Sequence, residues 1–238
     1  CNLHRTLALL ERWAEAHALA DETLAFTSTL DSATGRALEA AAHHALAFEA
    51  MHAKRPDEAI GRLADVVRLG RASGLEVGLR IALDAQLLTG HLHRQAKRLE
   101  PAVRAFKDAL ALLRDRPDGG TSSEVEALSA MARVQLGHAL LGLEREYEAR
   151  QAYETALAQG RASGLPSGRA AAANAALNLA SLLDGEVEEE RLREWYEVAR
   201  AMGRSSGTPL GLECAAQAER GLARMDGDGD GTEDDDEA

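Results

Sequence analysis

The chain is poor in the residues that build anything other than helices. Among 238 residues there are two cysteines, five prolines, two Trp, three Tyr and three Phe. The two cysteines, Cys1 and Cys214, have no paired spacing, which argues against a disulfide framework and suits a reducing compartment. So few aromatic rings cannot fill a core of this size, so the core must rest on Ala, Leu and Val. Ala and Leu are strong helix formers and β-branched residues are sparse, which predicts an all-α fold. No run of about 18 apolar residues exists, so no transmembrane helix is expected, and no signal-peptide pattern is visible. The chain starts with Cys rather than Met, so its true start is expected to have been removed or processed. A basic surplus is also missing. The net charge is −12, but eight of the 39 acids lie in Asp226–Glu237; the remaining 31 face 27 bases, a net of −4. Neither the near-neutral body nor the acidic end offers the clustered basic face that nucleic acid requires.

What is present is a repeat. The word GRASGL occurs at Gly70–Leu75 and again at Gly160–Leu165, with GRSSGT at Gly203–Thr208. Gly74, Gly119, Gly164 and Gly207 are spaced 45, 45 and 43 apart. Gly35, Gly78, Gly168 and Gly211 follow the same steps, with Ser123 in the missing slot. Within a unit the apolar period is helical. Residues 36–53 form one run, broken before Pro56, and residues 57–72 form a second. Gly74 stands where a helix should stop, because glycine adopts the left-handed conformation found just past a helix C-terminus. Pro166 stands where the next helix can open. Each unit therefore reads as helix–turn–helix, and GRASGL as the end of the second helix with its stop.

A second pattern sits inside the hairpins. A small residue on the first helix is followed, twelve positions later, by a small–large–small triplet at spacings of four and three. It reads Ala47, then Ala59, Leu63, Val66; Gly90, then Ala102, Phe106, Ala109; Gly137, then Ala149, Tyr153, Ala156; and Ala180, then Leu192, Tyr196, Ala199. Leu192 departs from the small residue expected. Small residues let helices approach closely while the large one fills the gap between them. This pattern resembles the tetratricopeptide repeat (TPR) family over roughly residues 36–203. The longer unit is closer to the longer repeats of kinesin light chains and of bacterial signalling regulators than to the family's usual one. The resemblance implies a right-handed superhelical solenoid of antiparallel helix hairpins, with nine to ten helices. Its expected parts are a partial leading repeat (1–35), four repeats (36–78, 79–123, 124–168, 169–211), a closing helix (212–225) and a disordered acidic tail (226–238). Residues 9–30 are expected to form the leading second-type helix, with Ala16, Ala20 and Thr23 at the matching offsets. An array that starts mid-repeat suggests a piece of a longer chain.

In that family the first helices line a concave groove. Carried over copy by copy, the resemblance places His44, Phe48, Met51 and His52 in it, then Leu87, His91 and Arg94, then Val134, His138 and Leu141, then Asn174, Leu177, Asn178 and Ser181. This mixed apolar and polar stripe suits an extended or helical peptide segment, and Asn178 is placed to hydrogen-bond a peptide backbone. The bland reading is that some of these residues only pack between helices. The Lys and Asn clamp for a C-terminal carboxylate is absent, so chaperone tails are not expected partners.

Other chemistry is thin. Asp226, Asp228, Asp230 and Glu237 fit the spacing of a calcium loop. Against it, Glu233 stands where an apolar residue belongs and the chain ends one residue after Glu237, so a solvated acidic tail is the better reading. His91 and His93, two apart on a helix, diverge and have no zinc-spaced cysteine partner. The run Glu186–Glu190 reads as favourable charge at a helix N-terminus. No nucleophile–base pair, phosphate loop or paired-acid motif appears, so no cofactor and no enzymatic activity are expected. The expected function is a cytoplasmic protein-interaction scaffold or adaptor that binds a protein or peptide partner, with no nucleic acid. One alternative is the sensory or regulatory part of a larger bacterial signalling protein, a kinase or transcription regulator. A weaker one is an outer-membrane lipoprotein assembly factor, lipid-anchored through Cys1.

Overall fold

The computed structural model describes residues 12–27, 29–115, 122–182 and 189–228. Among the described residues there are ten α-helices and no strand. The chain divides into two compact units, Cys1–Leu112 and Leu113–Ala238.

Unit one holds α1 (Trp13–Thr27), α2 (Ala33–His52), α3 (Pro56–Ser73), α4 (Glu76–Gln95) and most of α5 (Leu99–Arg114). Helix α1 packs on α2, α2 on α3 and α3 on α4, and α2 also touches α4. The core is aliphatic, with Ala47, Ala59, Leu63 and Val66 fully buried among Ala40, Ala50, Leu69, Ala85 and Leu92. Phe106 on α5 fills the corresponding gap one hairpin later. A Cβ added to Gly90 would stand 2.7 Å from Phe106 Cζ, so the missing side chain is what admits the ring.

Unit two holds α6 (Ser123–Leu141), α7 (Glu146–Ser163), α8 (Pro166–Leu182), α9 (Glu189–Ser206) and α10 (Pro209–Asp228). Consecutive helices pack, and α8 also touches both α6 and α10. Helix α8 is therefore covered on several sides. Ala170, Ala171, Ala172, Ala173, Ala175, Ala176 and Ala180 are all buried, as a helix enclosed by neighbours requires. Tyr153 repeats the role of Phe106, with Gly137 making room for its ring, and Tyr196 is seated against Gly221 of α10 in the same way. Burial of each ring contributes about 1.5–3 kcal/mol.

The recurring word is a corner with three working parts. Gly74, Gly164 and Gly207 adopt φ of 64°, 64° and 63°, the left-handed stop expected of them. Ser73, Ser163 and Ser206 are buried. Each donates its hydroxyl proton to the carbonyl three residues back (2.7, 2.9 and 2.7 Å) and accepts the backbone N–H two residues on (3.2, 3.3 and 3.2 Å). One serine thus satisfies a helix-end carbonyl and a turn N–H that would otherwise lack partners. The first glycine of the word does something the sequence reading misses. A Cβ on Gly70 would overlap the carbonyl oxygen of Gly78 on the next helix, and Gly160 with Gly168 and Gly203 with Gly211 repeat the arrangement. Two helices cross there backbone to backbone.

The three described corners inside hairpins have no glycine at the left-handed position. Lys54, Lys97 and Glu144 hold it instead, at φ of 56°, 56° and 59°. In each, the following Arg donates its backbone N–H to the carbonyl five residues back: Arg55 to Ala50 (2.8 Å), Arg98 to His93 (2.8 Å) and Arg145 to Leu140 (3.0 Å). Those bonds close a Schellman-type helix end.

Two expectations need correction. Of the expected 9–30, residues 9–11 lie outside the described residues, and the leading helix described is Trp13–Thr27, with Ala16 and Ala20 buried and Thr23 only partly so. The closing helix runs through Asp228, three residues into the stretch expected to be a tail. Cys1, Gly119 and residues 229–238 lie outside the described residues.

Candidate functional site

The first-type helices of unit two, α6, α8 and α10, lie side by side because α8 touches both of the others. Residues at i, i+3, i+4 and i+7 share a helix face. On α8 that selects Asn174, Leu177, Asn178 and Ser181. These four, with His138 of α6 and Leu210, Glu213, Cys214 and Gln217 of α10, line a groove of about 280 Å³. Leu177 forms part of its floor at 8% exposure, and Leu210 is an exposed apolar side at 48%. His138 lies edge-on to the ring of Tyr153, 5.7 Å between centroids. The ring that fills the hairpin gap thus also backs a wall of the groove.

The two asparagines are locked together. Asn178 Nδ2 donates to the backbone carbonyl of Asn174 (2.7 Å) and to Asn174 Oδ1 (2.6 Å). Because a carbonyl can only accept, this pairing sets both amide orientations. It leaves Asn178 Oδ1 as an acceptor and Asn174 Nδ2 as a donor, neither with a partner among the described residues. Such a donor–acceptor pair matches the C=O and N–H of an extended peptide backbone.

Cys214 is 3% exposed and free. Burial, with the charge of neighbouring Glu213, pushes its thiol up to about 11, so it stays protonated at neutral pH. It serves as a small apolar lining residue rather than a nucleophile.

The other members of the expected stripe have mixed fates. Val134 is 3% exposed, buried between helices and closed to any partner, and Leu141 is half-buried beyond the groove. In unit one, His44 packs edge-on to Phe48, 4.9 Å between centroids, and Met51 packs against the aliphatic core. His52 is exposed but stacked on Trp13 of α1 at 4.5 Å. His91 repeats the geometry of His138, edge-on to Phe106 at 5.8 Å, and burial holds its pKa below the ordinary imidazole value. Leu87 and Arg94 are half-buried on the same helix. Sequence reasoning missed Leu210, Glu213, Cys214 and Gln217. Applying the repeat offset once more, from Gly211, would have found Gln217 as the counterpart of Asn174.

Of the four acidic candidates, Asp226 and Asp228 lie among the described residues. Asp226 lies on α10 and accepts from Arg193 at 2.7 Å, and Asp228 is the last residue of that helix. Asp230 and Glu237 lie outside the described residues. No cluster of three His, Cys, Asp or Glu side chains able to hold a metal occurs among the described residues. Among them, too, no helix is long and apolar enough to cross a membrane.

The array of helix hairpins has counterparts among solved structures. BtubC (BKLC) from P. vanneervenii is similar at a TM-score of 0.55 and 18% identity, over 94% of this chain and 79% of that one. A Podosopora anserina protein described as a kinesin light chain with nearly identical TPR-like repeats is similar, in a single-substitution form, at 0.57 and 20%, over 86% of this chain and 93% of that one. A second structure of that protein agrees at 0.56 and 19%. The chain has the TPR-type repeat fold. No protein-family model and no curated protein matches it. At these identities the likeness extends to the fold. In TPR terms, α2, α4, α6, α8 and α10 are first helices, while α1, α3, α5, α7 and α9 are second helices.

Proposed function

We propose that this TPR-type chain is a protein-interaction scaffold and that the groove of α6, α8 and α10 receives an extended peptide segment. The observation that carries the reading is the locked Asn174–Asn178 pair, which presents one amide donor and one amide acceptor beside an apolar floor. Polar atoms left open over apolar lining are what a peptide site needs: backbone bonds for affinity and a pocket for a side chain. Ser181 is exposed at the groove's edge, so a large side chain there blocks the site without disturbing the core. The test is a random-peptide selection on the immobilised full chain, repeated with Ser181→Trp. Peptides enriched on the wild type are expected to lose at least roughly tenfold in affinity on the variant, the scale of a lost interfacial contact. Equal binding to both would remove the groove from the function.

A further inference from the structure

The chemistry of the same groove selects the kind of segment it takes. Resting on the peptide-groove reading above, we infer that the occupant carries a basic side chain beside an apolar one, with Glu213 as its counter-charge. The groove has one carboxylate and no Lys or Arg in its lining. Glu213 is exposed and makes no ion pair among the described residues. Other carboxylates of this unit, such as Glu144, Glu146, Glu194 and Glu197, are likewise without an ion pair among the described residues, but Glu213 is the one that lines the groove. Arg220, the next cation along α10, is a turn beyond Gln217 and outside the lining.

Three recognition elements follow from this arrangement. The Asn174–Asn178 pair reads a peptide unit. Leu177 and Leu210 take an aliphatic or aromatic side chain. Glu213, three residues from Leu210 and so beside it on the helix, takes the ammonium or guanidinium of the adjoining residue. An acidic segment would meet Glu213 with like charge and find no cation to offset it, a repulsion that shapes partner choice more than affinity.

The inference is tested by peptide-library selection on the wild-type chain, Glu213→Lys and Asn174→Ala/Asn178→Ala. Wild type is expected to enrich Lys or Arg next to Leu, Ile or Phe, and Glu213→Lys to enrich Asp or Glu at that place. One enriched peptide, labelled with fluorescein, is expected to bind Glu213→Gln roughly two- to fivefold more weakly, the range for one exposed ion pair, with the gap closing in high salt. Glu213 is exposed on a helix surface, so circular dichroism of both variants is expected to match wild type. Enrichment of acidic or uncharged segments, or enrichment unchanged by Glu213→Lys, overturns the inference and leaves the groove in place. Identical selections on wild type and the double asparagine variant overturn the peptide groove as well.

Discussion

At the residue scale, the two glycines of one word do different work, and their substitutions separate it. Gly74 has open space where a Cβ would go, so Gly74→Ala carries only the cost of a left-handed backbone, roughly 1 kcal/mol. Gly70→Ala drives a methyl into the backbone of the next helix and is expected to cost more, about 1–3 kcal/mol, with both read by urea unfolding of the full chain. If the two cost the same, the backbone crossing is not a tight one. Lys97 makes the opposite case. It holds the left-handed position that Gly prefers, so Lys97→Gly is expected to raise stability by about 0.5–1 kcal/mol. The stop at Gly74 was legible from sequence because a left-handed residue is a local requirement. The Gly70–Gly78 crossing was not, because it depends on where a second helix passes.

At the element scale, the large residue in each hairpin gap is the main tie, Leu63 in the first and an aromatic ring in the later ones. Phe106→Ala and Tyr153→Ala are each expected to cost about 3–5 kcal/mol, since both rings are fully buried and the glycine opposite offers nothing to fill the void. The small–large–small rule announced these rings because it is a packing rule written at fixed offsets. Helix α1 is held differently. His17 Nδ1 lies 2.6 Å from Glu49 on α2 and His17 Nε2 lies 3.4 Å from Asp21. The hydrogen bond to Glu49, then its charge, raises the His17 pKa above its ordinary 6.5, against burial and the nearby Arg62. A raised pKa in the folded state means the protonated form stabilises folding. That contribution is complete below the ordinary value and is lost as pH rises through the raised one. His17 is half exposed, so solvent screening keeps the effect small and local. Hydrogen exchange corrected for intrinsic rate is expected to show α1 amides less protected at about pH 8 than at about pH 6, and His17→Gln to remove the difference. A difference that survives the substitution would place the titration elsewhere. This clasp was invisible in the sequence, since His17 and Glu49 are 32 positions apart with no motif joining them.

At the scale of the whole molecule, the all-α fold was readable because every level agreed: composition, period, stop residues and hairpin packing. The site was readable only in part. His138, Asn174, Leu177, Asn178 and Ser181 meet in one groove, while Val134 points into the core, because a helix position one turn from a small residue faces either a partner or a neighbour depending on how the next hairpin lies. The contribution of α10 went unread because the groove offsets were carried over only as far as the fourth repeat, which ends at Gly211. Across the chain the net charge of −12 suggests an acidic surface, yet the groove owes its sign to Glu213 alone.

The central claim, that a peptide lies across α6, α8 and α10, is tested most directly by photocrosslinking. Arg220→p-benzoylphenylalanine and Glu154→p-benzoylphenylalanine place the same probe just beyond the groove lining on α10 and on the exposed surface of α7. A peptide selected on the wild-type chain is expected to crosslink at 220 and not at 154. Crosslinking at 154 with none at 220 would contradict the account.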